Sequence, residues 1–95
     1  MDSISEAQTV DNQKLMNTVI HLIAETLGQT RVRIKPTTQL LSGQKIFDSY
    51  RLMEFILRME DTFGIPIPDE DLDSDIFDTP RTVVRYLLSR LEKDA

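Results

Sequence analysis

Ser49, His21 and a run of aspartates are the side chains here whose types could do chemistry, and each needs different company. A nucleophilic serine requires a base, an acid to orient that base, and usually glycines that sharpen the turn around it. "FDSYR" at 47–51 has no such glycines. The single histidine, His21, falls nearly opposite the centre of its segment's apolar face at about 100° per residue, so it is expected in solvent and not beside a nucleophile. Asp69, Asp71, Asp73 and Asp75 alternate like the start of an EF-hand loop. That loop needs a glycine at its sixth position and a glutamate at its twelfth, where this chain has Ser74 and Pro80. No metal site is expected. With no cysteine there is no thiol nucleophile, thiolate ligand or disulfide. Glycines at 28, 43 and 64 lie too far apart to cradle a phosphate.

Ser49 suits another role. If Asp48 is the N-cap, Ser49 is the first helical residue and its hydroxyl can face outward. The free backbone N–H groups and positive dipole end at that point favour a negatively charged group. A phosphate esterified to Ser49 would sit in a stabilising field. Taken alone, however, an Asp-Ser pair is an ordinary helix cap.

Three long helices are expected to position these residues. Leu15, Met16, Val19, Ile20, Leu22, Ile23 and Leu27 recur at helical spacing between Asp11, an N-cap candidate, and Gly28, a C-cap candidate. The segment 28–47 reads as a long extended loop. Val32 and Ile34 alternate with Arg31, Arg33 and Lys35 only until Pro36, and Leu40, Leu41, Ile46 and Phe47 pin the loop to the core. A loop of this length is often functional. The second helix runs from Asp48 to Phe63 and closes at Gly64. "IPIPDEDLDSDIF" holds two prolines, so only a short helical turn fits there, capped by Asp69, with Ile65, Ile67, Leu72, Ile76 and Phe77 inward. Thr79 as N-cap and Pro80 at the first position open the last helix, whose apolar face is Val83, Val84, Leu87, Leu88 and Leu91. Residues 1–10 are polar and aperiodic and are expected to form a tail, leaving one domain over 11–95. The expected class is a small all-α bundle of three main helices and one short one.

The second helix has more apolar positions than one buried face uses. Leu52, Phe55, Ile56, Met59 and Phe63 fall within an arc of roughly 100°, wide enough for the core. Tyr50, Met53 and Leu57 form a second stripe, bordered by Glu54 and Asp61. An apolar stripe rimmed by charge is suited to a partner helix or ligand. An unmodified helical docking module working through this stripe is the alternative reading of the chain.

"FDSYRLMEFILRMEDTFGIPIPDEDL", followed by "FDTPRTVVRYLL", resembles the acyl carrier protein family and the related peptidyl and aminoacyl carriers. Asp48-Ser49 matches the prosthetic-group motif, and Glu54, "MEDTFG" and "IPIPDED" follow at the family's distances. The resemblance implies an acyl-carrier-like four-helix bundle over 11–95 that is not an enzyme. It implies that Ser49, next to Asp48, bears a 4′-phosphopantetheine arm installed from coenzyme A by a phosphopantetheinyl transferase. The thiol of that arm would hold acyl or aminoacyl cargo as a thioester, which accounts for a carrier without cysteine. The second helix would be the recognition helix. Tyr50, Arg51, Met53, Glu54, Leu57 and Arg58 would meet the acyl or aminoacyl ligase and the downstream transferase or synthase. Tyr50 replaces the leucine usual after the serine in fatty-acid carriers, and Arg51 and Arg58 interrupt the acidic face. Together with Phe47 and "FDTP", these departures resemble free-standing carriers of one dedicated pathway, D-alanyl and aminoacyl carriers among them, and point away from housekeeping fatty acid synthesis. Polyketide and nonribosomal peptide assembly use the same scaffold.

Composition agrees. Net charge is −5 over 95 residues, which disfavours nucleic acid and anionic membranes because phosphate rewards clustered Lys and Arg. No apolar run nears the roughly 18 residues of a membrane span, and the N-terminus lacks a signal-peptide pattern. A cytoplasmic monomer is the expectation.

Overall fold

The computed structural model describes residues 12–28, 33–43 and 46–94, with side chains through residue 91. Among the described residues there are three α-helices, α1 (Asn12–Leu27), α2 (Ser49–Phe63) and α3 (Pro80–Asp94), with one 3₁₀ turn (Asp69–Asp71) before α3. There is no strand among the described residues. The short fourth helix expected between α2 and α3 is this single turn. The expected Asp11 cap, the tail at 1–10 and Val32 lie outside the described residues.

α1 packs against both α2 and α3, and the periodicity of each helix explains why. Leu15, Val19, Leu22 and Ile23 of α1, Phe55, Ile56 and Met59 of α2, and Val83, Val84 and Leu87 of α3 are buried in one continuous core. Leu40, Phe47, Ile65, Ile67 and Phe77 enter the same core from the connections. The loop between α1 and α2 is thus anchored by its apolar residues, as their pattern predicts.

Local chemistry sets the helix ends. Gly64 closes α2 in the left-handed conformation (φ 68°), its N–H donating to the Glu60 carbonyl at 2.9 Å. That backbone conformation costs glycine nothing and a β-carbon-bearing residue something. Thr79 caps α3 by accepting from the Thr82 N–H at 3.1 Å, and Pro80 takes the first helical position. One expected cap is corrected. Asp69 does not cap the short turn; it is the turn's first residue, Pro68 stands at the cap position in extended conformation, and no side chain caps it. The closing bond is the Asp71 N–H on the Pro68 carbonyl at 2.9 Å, and this three-residue hydrogen-bond spacing of a 3₁₀ turn lets the proline begin it.

Candidate functional site

The start of α2 is fixed from three directions. Phe47 is buried, its ring 5.5 Å from that of Phe55 between centroids, and its N–H donates to the Leu40 carbonyl at 2.8 Å. Leu40 is fully buried, and its own N–H bonds the carbonyl of Asp78, just before α3. The segment entering α2 is therefore stitched, through the loop, to the segment entering α3. One residue on, Asp48 caps the helix. Its Oδ1 accepts from the Arg51 N–H at 2.8 Å, and its carbonyl accepts from the Leu52 N–H at 2.9 Å.

Ser49 follows as the first residue of α2 and is exposed. Because Asp48 does the capping, the Ser49 hydroxyl bonds no described residue. The amides of Ser49 and Tyr50 likewise find no described acceptor, so the helix end keeps the unsatisfied donors that every α-helix start has. An anion joined to Ser49 would meet those donors and the positive end of the macrodipole together.

The second stripe stands free of the core. Tyr50 is 69% exposed, Leu57 59% and Met53 45%, and they are the large hydrophobic side chains that the described surface leaves outside. All three belong to α2, beside Ser49. Arg51, Glu54 and Arg58 around them are already engaged within the chain. Arg51 donates through Nη1 to the Thr26 carbonyl at 2.8 Å and to Glu54 Oε1 at 3.2 Å. Arg58 Nη1 lies 3.7 Å from Glu25 Oε1 on α1. Glu60, further along α2, accepts from the Ile67 N–H at 2.7 Å and so ties the outgoing chain to the helix.

Other candidates fall elsewhere. His21 is exposed on α1 and pairs with Glu25 at 3.2 Å. Among the described residues, no three His, Asp or Glu side chains converge to hold a metal ion. Asp71 accepts from the Tyr86 hydroxyl at 2.7 Å, with Arg90 donating to the same hydroxyl at 2.8 Å. This cluster fastens the 3₁₀ turn to α3. Burial pushes the Tyr86 phenol above its ordinary pKa, the Asp71 bond adds to that, and Arg90 offsets part of it.

Asp78 is the residue that motif reasoning overlooked. Its Oδ1 accepts from the N–H groups of Leu41 (3.0 Å) and Ser42 (2.9 Å), and its Oδ2 from the Ser42 hydroxyl (2.8 Å). Burial pushes the carboxyl pKa up, but the bonds from Ser42, Leu41 and Leu40 outweigh it and hold the group below the ordinary carboxylate value. These partners are more than 30 residues away in sequence, beyond the reach of any local pattern; only the Ser-Gly-Gln stretch in "LLSGQ" hints at a loop needing an acceptor.

Comparisons with known proteins identify the family. The family described as "Phosphopantetheine attachment site" matches residues 17–87. The D-alanyl carrier protein of Bacillus velezensis is 28% identical over 69 residues, covering 73% of this chain and 87% of that protein. The D-alanyl carrier protein of Bacillus subtilis matches equally, at 28% over 69 residues, with 73% and 87% covered. An acyl carrier protein of Lactobacillus acidophilus is 31% identical over 64 residues, covering 67% of this chain and 79% of that protein. With the family matched over residues 17–87 and an all-helical fold consistent with it, this chain belongs to the acyl carrier protein family, as a non-catalytic carrier with covalently attached 4′-phosphopantetheine.

Proposed function

We propose that Ser49 carries the 4′-phosphopantetheine arm, and that the protein delivers acyl or aminoacyl thioesters to the enzymes of one dedicated pathway. The observation that carries the reading is the Ser49 hydroxyl, exposed and uncommitted at the first position of α2 while its neighbour Asp48 performs the capping. The surroundings fit the group. The donors at the helix start suit its phosphodiester, and the apolar stripe of Tyr50, Met53 and Leu57 beside it offers the arm and a docking enzyme an uncharged wall.

Loading would join the Ser49 Oγ to the pantetheine-bearing phosphorus of coenzyme A and break that phosphorus's bond to the nucleotide, which would leave as the bisphosphate while the hydroxyl proton passes to solvent. When attached, the arm supplies a thiol whose thioester activates the acyl carbon; that chemistry belongs to the cofactor. The protein's own residues hold the attachment point at the surface and present α2. Tyr50, Met53 and Leu57 are the contact surface for the transferase, the cargo ligase and the enzyme that consumes the cargo, with Glu54 and Arg58 at its rim. The two D-alanyl carrier relatives, Tyr50 in place of leucine, and the arginines on α2 support an aminoacyl or other dedicated cargo over general fatty acid synthesis.

Incubation with coenzyme A and a broad-specificity phosphopantetheinyl transferase tests the attachment. Intact mass should rise by one arm per chain in the wild type and stay unchanged in Ser49→Ala. A wild type that gains no arm would instead support the unmodified docking module.

A further inference from the structure

We infer that Arg51 is a positioning residue for arm attachment: it is a strut that fixes the first turn of α2 against the last turn of α1, and its guanidinium is not a docking charge. This rests on the reading of Ser49 as the attachment point. A docking role, as the resemblance suggests for residues of α2, needs a guanidinium held out toward the partner. Here the side chain stays 43% exposed, but its guanidinium is tethered to α1. Nη1 donates to the carbonyl of Thr26, a residue 1% exposed, and the side chain is steadied by Glu54 one helical turn on.

Thr26 is the penultimate residue of α1, so its carbonyl is one of the four at a helix C-terminus that find no partner within their helix. A cation there also meets the negative end of the macrodipole. The Thr26 hydroxyl is itself tied back to the Leu22 carbonyl at 2.8 Å, which makes the acceptor a fixed point. Arg51 also holds the other end. Its backbone N–H is the donor that Asp48 captures. One residue thus joins the cap of α2, two positions from Ser49, to the terminus of α1. Seven residues on, Arg58 reaches Glu25 in that same last turn of α1, so the contact does not rest on a single side chain. Small errors in the placement of a reacting group are costly in rate, and the Ser49 hydroxyl must meet a phosphorus held by another protein.

Arg51→Met removes the strut while preserving much of the apolar stem. Two readouts decide its role: the kcat/KM of loading at Ser49, taken well below the melting temperature at several ionic strengths, and amide hydrogen exchange. The expected result is loading about tenfold slower at every ionic strength, with the wild-type salt slope retained. Exchange should quicken at the Leu52 and Met53 amides and in the Thr26–Gly28 turn, while the core amides of α3 hold. Wild-type loading with unchanged local exchange would overturn the inference, and so would slower loading with an altered salt slope and unchanged local exchange, since a docking charge acts that way. If Arg51→Met does not fold, Arg51→Lys is read by the same measurements. Its charge is kept but its reach is shorter, so an intermediate loading rate with quickened local exchange supports the strut, and wild-type behaviour overturns it. A wild type that takes no arm on Ser49 overturns both this inference and the reading beneath it, whereas wild-type loading of Ser49 with an indifferent Arg51 overturns the strut alone.

Discussion

Asp48 and Ser49 are neighbours with opposite duties. The Asp48 carboxylate is bound to the Arg51 amide at 2.8 Å, whereas the Ser49 hydroxyl bonds no described residue. Asp48→Ala should therefore cost about 1 kcal/mol, the usual loss on removing an N-cap acceptor. Ser49→Ala should change stability by less than about 0.5 kcal/mol, as befits an exposed side chain with no partner. Urea unfolding of the two variants reads the contrast directly; equal losses would mean that the serine shares the capping. The cap is legible in the order Asp-Ser at the start of an apolar period, because capping depends on residues within one turn, whereas the attachment role proposed for Ser49 is suggested only by the longer pattern that follows it. The orientation of Arg51 is not legible there. It depends on where α1 crosses α2, and nothing local to "SYRLM" distinguishes an arginine aimed at solvent from one aimed at a carbonyl 25 residues earlier.

Along the helices, periodicity separates two faces of α2 that the structure keeps apart. Phe55 and Met59 are fully buried, while Tyr50, Met53 and Leu57 are exposed. A substitution on each face should act on a different property. Phe55→Ala should destabilise by about 3–5 kcal/mol, since it empties a ring's volume from the core. Leu57→Asp should leave the melting temperature nearly unchanged yet slow transferase loading at least about fivefold, as loss of an anchor at a contact surface does. If Leu57→Asp loads normally, the stripe is not the transferase's contact. Helix starts were legible where a capping residue directly precedes a helical apolar period, as with Asp48 and Thr79. They were not legible at the acidic run after Pro68. There several aspartates compete for the cap, and the 3₁₀ turn uses the proline's carbonyl and no side chain at all.

At the scale of the whole molecule, the irregular segments are joined by one carboxylate. Asp78 gathers Leu41 and Ser42 through its side chain and Leu40 through its carbonyl, and Leu40 in turn receives Phe47, so the entries to α2 and α3 are held as a unit. The Asp78 pKa is depressed in the folded chain, so its contribution is fully present above the unfolded-state value near 3.8 and is lost as pH falls through the lower folded value. Asp78→Ala should destabilise by about 2 kcal/mol at neutral pH, consistent with losing hydrogen bonds to a charged group. The gap from wild type should narrow once the pH drops below about 4. Urea midpoints at pH 7, 4 and 2.5 check this; a gap that widens in acid would contradict the sign. The all-α class and the core were readable because they follow from apolar spacing. This stitching was not, because it joins positions that only the finished packing brings together.

A carrier of this kind is defined by which side chain takes the arm. The protein has six serines, at 3, 5, 42, 49, 74 and 89. Fragmentation of the transferase-loaded protein in a mass spectrometer locates the modification among them. The account predicts that all of the added mass lies on the fragment containing Ser49, with none on the others. Added mass on a fragment lacking Ser49, or an arm still accepted by Ser49→Ala, would contradict it.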